Sequence, residues 1–120
     1  MTSINWFEIP ALDIDRAATF YEKVLAIKLK RENFGGVPNA MFPYERPGTG
    51  GAVVADPRRK PTADGAIVYL AADGKLDACV ARVEKAGGKV VAPKIDIGPP
   101  GFIALFQDTE GNVVGIHSPR

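Results

Sequence analysis

The strand-like pentapeptide Gly51-Ala-Val-Val-Ala55 returns, lightly altered, as Gly111-Asn-Val-Val-Gly115 near the end of the chain. The second copy closes a hairpin. Two apolar runs, Phe102 to Phe106 and Val113 to Ile116, flank the turn sequence Asp108-Thr-Glu-Gly111. Short runs rich in β-branched and aromatic residues, bounded by turn residues, read as largely buried strands. Gly111 supplies the positive φ such a turn often needs. A strand that recurs this way constrains the fold to one unit written twice.

The rest of the chain carries the same repeat. Ile4 to Pro10 reads as a strand ended by Pro10, which has no N–H for a ladder. Asp13 or Asp15 caps a helix to about residue 26, with Ala17, Phe20, Tyr21, Val24 and Leu25 as its apolar stripe. Ile27 to Arg31 alternates like a strand with one wet face, and Val37 to Pro43 and Ala52 to Ala55 follow as strands. The second half predicts a strand over Ala66 to Ala72, a helix from about Leu76 to Ala86 stopped by Gly87-Gly88, and a strand over Lys89 to Ala92. Ile95 to Pro100 reads as a loop or distorted edge before the hairpin. Glu22-Lys23 and Glu84-Lys85 sit at equivalent places, as do Lys28 and Val90. The reading is an α+β chain of two βαβββ modules, in one domain or exchanging halves with a partner chain: module 1 over 1–56, a linker over 57–65 and module 2 over 66–120. A half this small leaves one sheet face uncovered, so it packs with its twin around a cleft, helices outside.

Composition narrows the function classes. A formal net charge of +1 gives no footprint for nucleic acid or an anionic membrane. Arg58-Arg59-Lys60, between Pro57 and Pro61, reads as a solvated linker. No apolar run approaches the roughly 20 residues of a membrane span, and the N-terminus lacks a signal-peptide pattern. The single cysteine, Cys79, excludes an internal disulfide and reads as helix packing. The expected location is the cytoplasm. Gly48-Thr-Gly-Gly51 is not followed by a helix, so it is no phosphate loop.

Three motifs carry a resemblance over essentially the whole chain: Asp13-Ile-Asp-Arg-Ala-Ala-Thr-Phe-Tyr21, Leu76-Asp-Ala-Cys-Val-Ala-Arg-Val-Glu-Lys-Ala-Gly-Gly88 and Phe106-Gln-Asp-Thr-Glu-Gly-Asn112. Together they resemble the vicinal oxygen chelate superfamily, which includes glyoxalase I, bleomycin-resistance proteins and extradiol dioxygenases. The resemblance implies a cup-shaped mixed sheet, a homodimer and, in metal-using members, a divalent ion held by His, Glu or Gln on the first and fourth strands of each module. Carried onto this chain, those slots fall on Trp6, Ala55, Ile67 (or Val68) and Gly115. None has a side chain that coordinates a hard ion or Zn. No metal ligand is therefore expected at the family's standard positions, and no cofactor.

Strand alternation puts Glu8 on the side of Trp6, and His117 on the side of Gly115, both facing the expected cleft. Glu8 and His117 are the candidate catalytic residues; as a plainer alternative they hydrogen-bond each other or nearby backbone. A displaced divalent-metal site could use both with Asp56, although regular alternation turns Asp56 away. The expected ligand pocket comprises Trp6, Glu8, Tyr69, Ile103, Leu105, Gln107 and His117; for Trp6, Tyr69, Ile103, Leu105 and Gln107 the alternative is ordinary cleft packing. Met41, Phe42 and Tyr44 belong to a wall strand of unreadable register. The leading expectation is a metal-independent protein holding a small organic molecule. The alternatives are a metal-dependent lyase, isomerase or dioxygenase, and a regulatory protein whose cleft is self-filled.

Overall fold

In the structure, a computed structural model that describes residues 3–45 and 47–120, ten elements follow one another. They are β1 (Trp6–Pro10), α1 (Ile14–Leu25), β2 (Lys30–Phe34), β3 (Val37–Met41), β4 (Gly50–Val54), β5 (Tyr69–Ala71), α2 (Leu76–Val83), β6 (Lys89–Asp96), β7 (Phe102–Gln107) and β8 (Val113–Ser118). The strands form two four-stranded sheets of identical topology, β1-β4-β3-β2 and β5-β8-β7-β6. In each, the first and last strands pair in parallel and the others antiparallel. The α+β reading and the twofold βαβββ order stand. Among the described residues no helix is long and apolar enough to cross a membrane.

Of the boundaries that differ from the sequence reading, four have a local reason. Ile27 to Leu29 are not strand: Ala26 turns left-handed at φ 56°, and the Leu29 N–H goes to the Glu22 carboxylate rather than to a ladder. The strand starts at Lys30 instead. β5 is only three residues long, because Ala66 to Val68 belong to the crossing from the linker. α2 stops at Val83, and Lys75 at its N-terminus makes no side-chain cap bond. β6 runs on to Asp96, but its register shifts twice, between Val90 and Ala92 and between Ala92 and Ile95. Pro93 lies in the second shift, where a residue without an N–H belongs.

One apolar core joins the modules. Phe20, Tyr21 and Val24 of α1 pack with Ile9, Ala40 and Val53 of the first sheet. The same cluster includes Leu76, Cys79 and Val83 of α2, and Phe106, Val114 and Ile116 of the second sheet. Tyr21 is its hinge, with ring centroids 5.7 Å from Phe42 and 6.2 Å from Phe106. Each helix covers one face of its own sheet and leaves the other face without a helix.

Polar groups of the β7–β8 turn lock the modules together. The Glu110 carboxylate, whose side chain has no solvent exposure, accepts the N–H groups of Leu12 and Asp13 at 2.8 Å each. It also accepts Arg16 Nε at 2.7 Å and Arg16 Nη2 at 3.0 Å. A side chain from module 2 thus supplements the Asp13 cap at the N-terminus of α1, where free N–H groups and the helix dipole favour an anion. Buried Asp108 accepts the Tyr21 hydroxyl at 2.6 Å and the backbone N–H groups of Glu110 and Asn112. Burial, then Asp108, pushes the Tyr21 phenol well above its ordinary range. Asn112 donates to the Pro10 carbonyl at 2.8 Å and accepts the Thr62 N–H, tying the end of β1 and the linker to the same turn.

Burial alone would raise the Glu110 carboxyl, but the bonds from Arg16, Asp13, Thr109 and Leu12 outweigh it and bring it from 4.5 to about 2. The folded value lies below the unfolded one, so its stabilisation is complete above about pH 4.5 and is lost as pH falls towards 2. A shift of this size corresponds to roughly 3 kcal/mol. Urea unfolding followed from about pH 6 to about pH 2.5 should show this loss, and Glu110→Gln should flatten it while costing about 2–4 kcal/mol at neutral pH.

Candidate ligand-binding site

The helix-free face of the first sheet is set by alternation along β1. Phe7 and Ile9 turn to the core, so Trp6, Glu8 and Pro10 turn to the open face. Parallel pairing places them beside β4 in three rows: Trp6 with Gly50, Glu8 with Ala52 and Pro10 with Val54. Trp6 is 39% exposed and meets Tyr44 edge to face at 6.0 Å. Both rings lean over Gly50, where a Cβ would stand 2.6 Å from Tyr44 and 2.8 Å from Trp6.

The second sheet repeats the arrangement. Leu70 turns to the core, and Tyr69, 43% exposed, lies on the open face beside Gly115 and, one strand further, Leu105. A Cβ on Gly115 would collide with the Tyr69 ring. The next row is Ala71, His117 and Ile103. Gln107 closes the strand opposite Val113, its amide 3.4 Å from the Gly111 carbonyl. Each module therefore carries an aromatic ring on its first strand, laid over a glycine of its last.

This register changes the equivalences drawn from the repeated pentapeptide. Trp6 pairs with Gly50 rather than Ala55 in module 1, and in module 2 the residue paired with Gly115 is Tyr69. Ala55 lies past β4 and gives its N–H to Pro38. Trp6, Gly50, Tyr69 and Gly115 do not fit a divalent ion any better than the earlier four. Among the described residues no three His, Cys, Asp or Glu side chains cluster to hold one.

The structure does not join Glu8 to His117. His117 Nε2 donates to the Pro100 carbonyl at 2.7 Å, holding the loop between β6 and β7, so only the backbone half of the plainer reading describes it. Glu8 is exposed and lies in the other sheet, and among the described residues no side chain forms an ion pair with it. Asp56 does reach the Glu8 side, because β4 ends at Val54 and alternation no longer governs it. It is occupied by Arg58, at 3.1 Å to Nε and 3.0 Å to Nη2, which together with the Arg58 N–H holds its carboxyl below the usual range.

Two clefts border the open face of the first sheet, and a third lies on the core side. One of about 650 Å³ is lined by Glu8, Pro10, Val54 and the linker residues Asp56, Arg58, Arg59 and Lys60. A second, about 320 Å³, shares Glu8 and Pro10 and runs under Thr62 to Ala66 towards Asn112 and Val114. A third, about 400 Å³ and apolar, opens between the modules among Phe7, Leu25, Phe42, Leu70 and Cys79. The basic linker is thus a wall rather than a free tether. Sequence reasoning read that segment as solvated and missed Gly50, while it put Tyr44 on a wall strand without its register. The glycine-rich stretch was visible, but the pairing of β4 with β1 that gives Gly50 its purpose was not.

Paired βαβββ modules with parallel first and last strands, each presenting one uncovered sheet face, define an α+β cup-module protein. The chain belongs to the Glyoxalase/Bleomycin resistance protein/Dioxygenase superfamily, whose family model matches residues 3–116. It is 36% identical over 119 residues to a glyoxylase-like domain-containing protein of Didymella fabae, covering 94% of this chain and 91% of that one. Among solved structures it is similar to TnmS3, an antibiotic binding protein from Streptomyces sp. CB03234, with 26% identity, TM-score 0.72 and 100% and 98% of the two chains covered. A glyoxalase/bleomycin resistance protein from Albidiferax ferrireducens T118 shares the fold at 18% identity and TM-score 0.72, over 98% of this chain and 99% of that one.

Gly50→Val should push the Trp6 and Tyr44 rings apart. The emission of this lone tryptophan should move to longer wavelength. Unfolding free energy should change by less than about 1 kcal/mol, because both rings are already part-exposed.

Proposed function

We propose that this protein binds a small organic molecule without a metal, using the open faces that carry Trp6 and Tyr69. The observation that supports this most is the matched pair of rings over glycines, Trp6 on Gly50 and Tyr69 on Gly115, at the strands where metal-using relatives place their ligands. A ring over a missing Cβ is held by the sheet yet keeps its other side free for a flat or apolar partner. Glu8, Ile103, Leu105, Gln107 and His117 complete the ligand surface, Glu8 and His117 as its hydrogen-bonding groups. TnmS3, an antibiotic binding protein, lends weight to binding over catalysis.

A second copy completes each surface in this reading. Tyr69, Ile67, Val91, Ile95 and Ile97 leave large apolar side chains exposed on the second module, more than a lone subunit ordinarily shows together. The modules 1–56 and 66–120, joined by 57–65, then meet their counterparts across a twofold axis and enclose the ligand. The protein acts in the cytoplasm.

Sedimentation should give a dimer at micromolar concentration; a monomer would remove the closed cup. Binding is read by quenching of Trp6 fluorescence with planar aromatic compounds, and Trp6→Ala and Tyr69→Ala should each weaken it by about tenfold. The rival reading, a metal-dependent lyase, isomerase or dioxygenase at Glu8 and His117, predicts stoichiometric Zn, Ni, Mn or Fe in protein purified without chelator. Metal lost on Glu8→Ala or His117→Ala would replace the proposal with that rival.

A further inference from the structure

We infer that Arg59 and Lys60 of the linker form a charged subsite that receives the acidic group of the ligand, so that the ligand class is an aromatic organic acid. This rests on the binding reading above and adds to it the chemistry of one end of the molecule.

The linker is ordered towards this use. Asp56 takes the Arg58 N–H at 2.9 Å and both guanidinium contacts, and the Arg59 N–H returns to the Asp56 carbonyl at 2.9 Å. That turn neutralises one cation and sets the backbone that carries the next two. Arg59 and Lys60 line the cleft of about 650 Å³, and among the described residues neither forms a salt bridge. Glu8 is the carboxylate of that cleft not engaged by Arg58. Two cations against one carboxylate leave an excess positive charge in a concave cleft, which focuses attraction on an anion.

Position links the cleft to the aromatic platform. Trp6, Glu8 and Pro10 follow one another on one face of β1, successive members about 7 Å apart, over a floor of Gly50, Ala52 and Val54. Trp6 stands at one end of this track, and Pro10 and Val54 already line the charged cleft. A molecule stacked on Trp6 and extended along this track past Glu8 brings its far end, roughly 13 Å away, to the cleft. Arg59 offers a carboxylate or sulfonate a planar fork of donors and Lys60 a point charge. Glu8, between them, selects for a donor group on the ring.

The test compares anilinonaphthalene sulfonate with phenylnaphthylamine, which has the same aromatic body without the acid. The native protein should bind the sulfonate more tightly, and its affinity should fall with added salt. The double variant Arg59→Ala, Lys60→Ala should lose about tenfold or more for the sulfonate and change less than about twofold for the amine. Glu8→Gln should tighten the sulfonate. Equal loss for both probes, loss for neither, or no binding of the sulfonate by the native protein overturns the subsite. Trp6→Ala should weaken both probes. If it weakens neither while the double variant still loses the sulfonate, the aromatic platform fails and the charged subsite stands.

Discussion

The carboxylate of Glu110 sits against the first turn of a helix from the other module, and the relative placement of the two sheets follows from it. Two backbone N–H groups of the loop into α1 and two guanidinium donors of Arg16 converge on its oxygens. A carboxylate without solvent contact cannot be left with its bonds unmade, so the turn between β7 and β8 is tied to the entry of α1. Asp108 and Asn112 extend the same turn to Tyr21 in the core and to the Pro10 carbonyl at the end of β1. What looks like a polar turn motif is the joint of the protein.

A joint on the helix side has a consequence for the opposite side. The apolar core gathers between the helices and the faces they cover, with Tyr21 touching both modules. The remaining face of each sheet carries no helix, and on the first sheet the linker turns back over part of it. Trp6, Tyr44 and Tyr69 are stranded there with more than a third of their surfaces exposed. Exposed rings carry a cost in solubility, and a glycine under each is costly within a strand. Neither helps the fold of the isolated module; on the proposed reading both serve a bound molecule.

Much of this was legible in the residues. Period-two and period-three-to-four patterns located all ten elements, because each strand or helix turns one consistent face to a core, and the repeated pentapeptide announced the duplication. Boundaries failed where local chemistry overrode pattern: Ala26 in a left-handed turn, Glu22 claiming the Leu29 N–H, Pro93 at a bulge. Alternation also put Trp6, Glu8 and Tyr69 on open faces. It could not give the register of parallel neighbours, which depends on loops of unequal length in the two modules. The echo of Gly51–Ala55 in Gly111–Gly115 therefore led to Ala55, when β1 in fact lies against Gly50. The path of the linker was equally hidden, since Arg58-Arg59-Lys60 reads as solvated until Asp56 is seen to turn it back over Glu8.

Coordination and stacking make opposite demands on the same paired strands. Holding a hard cation needs several oxygen or imidazole donors aimed at one point, each kept charged or oriented by a second partner. Stacking needs a rigid ring and an absence beside it, which a glycine provides by having no Cβ. Here the parallel strand pairs carry rings and glycines in both modules, while the one imidazole is tied to Pro100 and Glu8 lies in the other sheet. Selectivity in such a site comes from the shape of the ring surface and from the sign of charge at its edge. On the proposed reading the linker supplies that sign, so the segment with the least regular structure has the most to say about which molecule is held.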